Sequence, residues 1–236
     1  MKRSLLFLIA YLLAASPTWA TWTLTSHPAP NTSCPISQST CSLTFTVTAG
    51  RAGILVVANK SASFISSVSG GGTWLLAAGC QNVDNPSDAH YYTVSCAYNL
   101  STSAASAETI TWNTPLVATQ VSVFYFEASF SSPAILFDTS GSSNITTLMN
   151  PPGQALSLTQ GGNDWIVQLT SVSSGSITGI SGPYADYSGT ARASADVRNT
   201  NDGTAPTWST SASIVEGVVA AIALWEPKLR HRVWCQ

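Results

Sequence analysis

The seventeen residues CQNVDNPSDAHYYTVSC, Cys80 to Cys96, hold two cysteines, Asp84, Asp88, His90 and two tyrosines, in a chain with three histidines and 8% charged residues. Such crowding suits a metal site, an acid–base site or a disulfide staple. Zinc would draw on Cys80, His90 and Cys96, but spacings of ten and six residues lack the short ligand pairs of structural zinc sites. Calcium fits better, because Asn82, Asp84, Asn85 and Asp88 gather oxygen-bearing side chains in one loop, although without EF-hand spacing. Asn199, Asn201 and Asp202 form a similar, sparser set. Asn, Asp and Pro are also what any turn requires. The expectation is therefore no cofactor, with calcium at Asn82, Asp84 and Asp88 as the minority alternative.

Hydrolytic chemistry has few carriers. No G-x-S-x-G nucleophile elbow occurs, and of His27, His90 and His231 only His90 lies within the body of the chain. A copper oxygenase that uses an N-terminal histidine is disfavoured, because cleavage after Ala20 would expose Thr21. Glycoside hydrolysis needs two carboxylates facing each other across a cleft. Glu127 and Glu216 sit within strand patterns, and Glu108, Asp138 and Asp164 lie near strand ends. Alternation from Val121 through Val123 and Tyr125 puts Glu127 on the same face. If that face points inward, Glu127 is a buried acid that needs a hydrogen-bond partner or a raised pKa. No E-x-D-x-x-E strand pattern accompanies it.

For binding, flat aromatic side chains near polar groups are what a saccharide ring stacks on. Trp74, Trp112, Trp165 and Trp225 fall within strand patterns and are expected in the core. The turn-rich segment from Gly182 to Trp208 offers Tyr184, Tyr187, Arg192, Arg198 and Trp208 as a polar, aromatic rim, beside Asp186 and Asp196. A solvated loop and strand pair is the competing explanation of the same residues.

The elements that must position these groups follow from composition and periodicity. MKRSLLFLIAYLLAASPTWA, residues 1–20, has a basic start, an apolar run from Leu5 to Ala15 and small residues before a break, which reads as a secretory signal. The run is about eleven residues, against roughly twenty for a membrane span. Without Lys2 and Arg3 the remainder carries seven basic against eleven acidic residues, a formal charge of −4, which argues against a nucleic-acid partner. Apolar residues make up 44%, enough for a single core.

Five cysteines in an exported chain point to two disulfides and one remainder. Four cysteines allow three pairings. The local ones, Cys34 with Cys41 and Cys80 with Cys96, are favoured, leaving Cys235 free or linking two copies. Period-two alternation dominates, as in Leu43, Phe45 and Val47, and Ile54 to Ala58 is a short continuous apolar run. Gly, Pro, Asn and Asp clusters separate the segments, and no 3.6-residue period with caps follows the signal. About a dozen short strands result, among them Trp74 to Ala78, Ile135 to Phe137 and Ala155 to Leu158. The fold class is all-β: one antiparallel sandwich, jelly-roll-like, with no helix apart from the signal. One domain is expected over 21–227, followed by a basic tail, 228–236.

The order ISSVSGGGTWLLAAG, HYYTVSCAYNL, ETITW, VSVFYFEAS, NDWIVQLTSV and VEGVVAAIALWEP, with Trp74, Glu127, Asp164 and the closing Trp225-Glu226-Pro227, resembles exported bacterial β-sandwich modules of surface and multidomain exoproteins. That resemblance implies a jelly-roll-like fold with adhesive or ligand-binding roles, and supplies no catalytic residues. The functional expectation is a secreted or cell-surface, non-enzymatic module that binds a glycan or other surface ligand through loops at one end. The alternatives are an assembly protein associating through an edge strand or Cys235, and a glycan-cleaving hydrolase using Glu127 and a second acid.

Overall fold

A computed structural model of the chain describes residues 22–26, 34–84, 91–117, 121–130, 134–148, 150–159, 163–172, 177–182, 184, 193–195, 203–211 and 214–227. The strands are β1 (Thr23–Ser26), β2 (Thr40–Leu43), β3 (Ala52–Asn59), β4 (Ile65–Ser69), β5 (Leu75–Leu76), β6 (Asn82–Asp84), β7 (Tyr92–Asn99), β8 (Glu108–Trp112) and β9 (Val121–Ser129). They continue as β10 (Leu136–Leu148), β11 (Asn163–Val172), β12 (Ile177–Ile180), β13 (Ala193–Ala195), β14 (Trp208–Thr210) and β15 (Ile214–Glu226). The one helical turn among the described residues is a 3-10 turn, Ala78–Cys80. No helix there is long and apolar enough to cross a membrane.

Every strand pairing is antiparallel. The first nine strands build a six-stranded sheet, ordered β1-β9-β3-β7-β5 with β6 also on β7, and a three-stranded sheet, β2-β8-β4. The last six build a four-stranded sheet, β10-β15-β11-β13, and the β12-β14 pair. The sandwich is thus layered, with the six-stranded sheet in the middle. One face, carrying Ile54, Val56, Phe124 and Phe126, packs on Trp165, Val167, Ala220, Ile222 and Leu224 of the four-stranded sheet. The other face, carrying Leu55, Val57, Val123 and Tyr125, packs on Leu43, Ile65, Ile110 and Trp112 of the three-stranded sheet.

Double coverage explains the continuous apolar run in β3, where all eight residues are buried. A strand with one wet face would have alternated. The outer face of the four-stranded sheet is covered too: Val219 and Val172 meet Trp208 and Ile177, while Ala221 and Ala223 meet Leu156 and Tyr184.

Both local disulfides form, Cys34–Cys41 and Cys80–Cys96. The second joins the 3-10 turn to the middle of β7, with both cysteines buried against the main core. Three strand boundaries depart from the sequence-based expectation: Trp74 to Ala78 shrinks to β5, Leu75–Leu76, with Ala78 opening the 3-10 turn. Ala155 to Leu158 is not a strand, although Leu156 is buried; its N–H donates to the Gly203 carbonyl at 2.9 Å. Ile135 to Phe137 overlaps only the start of a thirteen-residue strand, which begins at Leu136 and runs on through TSGSSNITTL.

Candidate functional site

Glu127 lies near the end of β9, on the face that carries Val123 and Tyr125, and that face is inward: Glu127 is fully buried. Its Oε1 accepts the Thr48 backbone N–H at 2.5 Å and the Tyr125 hydroxyl at 2.6 Å. The Tyr125 ring is fixed by stacking on Phe45, with centroids 4.4 Å apart and planes 13° from parallel. Burial, then the hydrogen bond to Glu127, holds the phenol protonated by raising its pKa.

A second acid joins this group. Glu108 opens β8 and is 1% exposed, and neither of its carboxylate oxygens has a hydrogen-bond partner among the described residues. Burial, reinforced by the charge of Glu127, pushes its pKa up to about 7. Above the pair lies the Gly70–Gly72 turn, in which all three residues have positive φ. A Cβ on Gly70 would stand 2.6 Å from the Ala107 carbonyl oxygen, and one on Gly71 would stand 3.3 Å from Glu108 Oε1. Only glycine lets the turn lie this close. Trp74 Nε1 donates to the Gly70 carbonyl at 2.7 Å, and Asn99 Nδ2 to the Gly71 carbonyl at 3.0 Å, so the turn is held down from both sides.

A second acid pair sits elsewhere. Asp138 occupies the bulge between Phe137 and Thr139 in β10, and accepts the Thr159 N–H and hydroxyl. Asp164, at the start of β11, is fully buried; burial, then the charge of nearby Asp138, raise its pKa to about 8. Neither pair resembles an open glycosidase cleft. Glu108, Glu127 and Asp164 are all sealed from solvent, so a polysaccharide cannot reach them in this conformation.

The expected aromatic rim is not formed by its described members. Tyr184 is buried among Leu156, Ile166, Ala221 and Ala223, and its hydroxyl accepts from Gln168 Nε2 at 3.4 Å. Trp208 is buried among Ile145, Val172, Ile177 and Val219. Both serve as core covering the outer face of the four-stranded sheet. Tyr187, Arg192 and Arg198 lie outside the described residues, as do Asp88, His90 and Cys235. In the Cys80 to Cys96 loop, Asn82 Nδ2 donates to Asn144 Oδ1 at 2.9 Å, and Asn144 Nδ2 donates to Asp84 Oδ1 at 3.3 Å. This polar ladder clamps β6 to β10. Among the described residues no group of three or more His, Cys, Asp or Glu side chains converges as metal ligands.

An exposed apolar surface was not foreseen. Leu75, Leu76, Leu136 and Phe137 are each between 36% and 47% exposed. Tyr98 links two of them: Leu75 lies opposite it in register, and its ring stacks on Phe137, with centroids 4.9 Å apart and planes 18° from parallel, whereas Leu76, paired with Ala97, and Leu136 lie on the opposite faces of their strands. The surface lies at the seam where Phe137 of β10, an edge of the four-stranded sheet, reaches Tyr98 of β7 beside β5, an edge of the middle sheet. Just beyond it, Ser142 Oγ donates to the Gly79 carbonyl at 2.8 Å, tying the two edges together. The available signal was Leu75-Leu76 itself, since two successive leucines in one strand point to opposite faces. Compared with protein-family models, curated proteins and solved structures, the chain matches none of them.

Proposed function

We propose that the protein is an exported, non-catalytic β-sandwich module that binds a glycan or another surface ligand, and that it does so at the β5–β10 seam rather than at a terminal loop rim. The observation that carries this reading is Phe137, a partly exposed ring already fixed flat by its stack on Tyr98, with exposed Leu75 opposite Tyr98 in register. A ring held in place before contact loses little freedom on binding, and a flat apolar face is what the C–H side of a sugar ring or a partner's apolar side chain packs on. Two disulfides formed within the chain, and the signal-like residues 1–20, support a secreted or cell-surface location. Sealing of Glu108, Glu127 and Asp164 weighs against the hydrolase alternative, and the covering of the β10 edge by the 3-10 turn and β6 weighs against assembly through that edge.

The test is retention on a panel of cell-wall and plant polysaccharides, with Phe137→Ala and Leu75→Ser as paired variants. Binding lost in both variants, with the circular dichroism of the wild type kept, supports the seam. Retention on no member of the panel, or binding that both variants keep, overturns the reading.

A further inference from the structure

The acid pair beneath the glycine turn has chemistry that ligand binding at the seam does not use. Glu108 is enclosed, and its two oxygens have no hydrogen-bond donor among the described residues. A carboxylate removed from water and left without donors is costly in its charged form. Here the cost is compounded by Glu127, close enough for its charge to act on Glu108 and for both charges to act on the Tyr125 hydroxyl. Thr48 N–H and the Tyr125 hydroxyl both serve Glu127, and neither serves Glu108. The Gly71 position is kept free of a side chain where a Cβ would meet Glu108 Oε1 and both methyls of Val47.

We propose that Glu108 and Glu127 bind a divalent cation of the calcium class between β8 and β9, beneath the Gly70–Gly72 turn. Carboxylate oxygen is the ligand a hard cation prefers, and calcium tolerates an irregular shell completed by water and backbone carbonyls. The cation supplies the positive charge that the Glu108 oxygens lack. It also ties the three-stranded sheet, through β8, to the middle sheet, through β9. An affinity of about 0.1–1 mM, the range of extracellular modules, would suffice. The site is separate from the Asn82, Asp84 and Asp88 set in the disulfide loop.

Terbium(III), a luminescent stand-in for calcium, tests this on the full chain at neutral pH. Tyr125, whose hydroxyl touches Glu127, is placed to sensitise a bound terbium ion. The expected result is saturable emission excited through the aromatic residues and displaced by calcium. Glu108→Gln should weaken it about tenfold or more, while Asp84→Asn leaves it unchanged. As a measurement needing no variant, calcium should raise the thermal midpoint of the wild type above its value in chelator. No saturable emission, emission that Glu108→Gln leaves intact, emission abolished by Asp84→Asn, or a midpoint insensitive to calcium overturns the proposal.

Discussion

The burial of Glu108 makes a quantitative prediction about stability and pH. Its carboxyl is lifted from an ordinary 4.5 to about 7 in the folded protein. The folded state therefore holds its proton more tightly than the unfolded chain does. Between pH 4.5 and 7 the unfolded state binds fewer protons, so stability falls as pH rises through that window. The contribution is complete below 4.5 and lost above about 7. At about 1.4 kcal/mol per pKa unit, and allowing for relaxation around the charge, the loss is about 1–3 kcal/mol. Glu108→Gln keeps the shape and cannot ionise. Urea unfolding in chelator at pH 5 and pH 8 should give similar midpoints for wild type and variant at pH 5, with the variant more stable by about 1–3 kcal/mol at pH 8. Asp164, also raised, titrates across part of this range in both proteins and so cancels from the difference. A difference between wild type and variant that is independent of pH, or a wild type favoured at pH 8, would refute the reasoning.

Two further predictions concern the scaffold. Replacing Cys80 and Cys96 by alanine reopens a sixteen-residue separation and should cost about 3 kcal/mol, against about 2 kcal/mol for the seven-residue Cys34–Cys41 link, read as shifts in urea midpoint. Gly70→Ala combines a φ of +95° with a Cβ 2.6 Å from the Ala107 carbonyl, whereas Gly50→Ala has a φ of +72° and open space around it. Gly70→Ala should therefore lower stability by about 2 kcal/mol or more and Gly50→Ala by about 1 kcal/mol; equal losses would show that the turn does not press on Ala107.

What the sequence revealed, and what it hid, follows from how local each signal is. Val121, Val123, Tyr125 and Glu127 alternate along one strand, so an inward Glu127 is legible without knowing what covers it. Glu108 is not, because its enclosure depends on β8 pairing between β2 and β4 and lying against the middle sheet, none of which is written in ETITW. Tyr184 sits beside Gly182 and Pro183 and reads as a loop tip; a distant outer sheet face with small Ala221 and Ala223 gives it room to be buried. β10 was read short because Ser, Thr, Gly and Asn fill most of it after Phe137. Its long pairing with the apolar β15 makes it a strand nonetheless. Both disulfides were legible because sequence proximity alone favoured the local pairs.

The middle sheet has a consequence for how the chain is assembled. All pairings within the six- and three-stranded sheets come from residues 23–129, and all those within the four- and two-stranded sheets come from residues 136–226. Among the described residues no backbone ladder crosses between these halves; they meet mainly through side chains, Phe124 and Phe126 against Trp165 and Ile222, with the Asn82–Asn144 and Ser142–Gly79 hydrogen bonds at one edge. Each half is thus half of one greasy joint. A nascent chain that has emerged only as far as β9 carries a large apolar face with nothing on it, and must wait for β11 and β15 before that face is dry. The sequence between Ser129 and Leu136 is the natural place for a nick to leave two sticky fragments that fit each other.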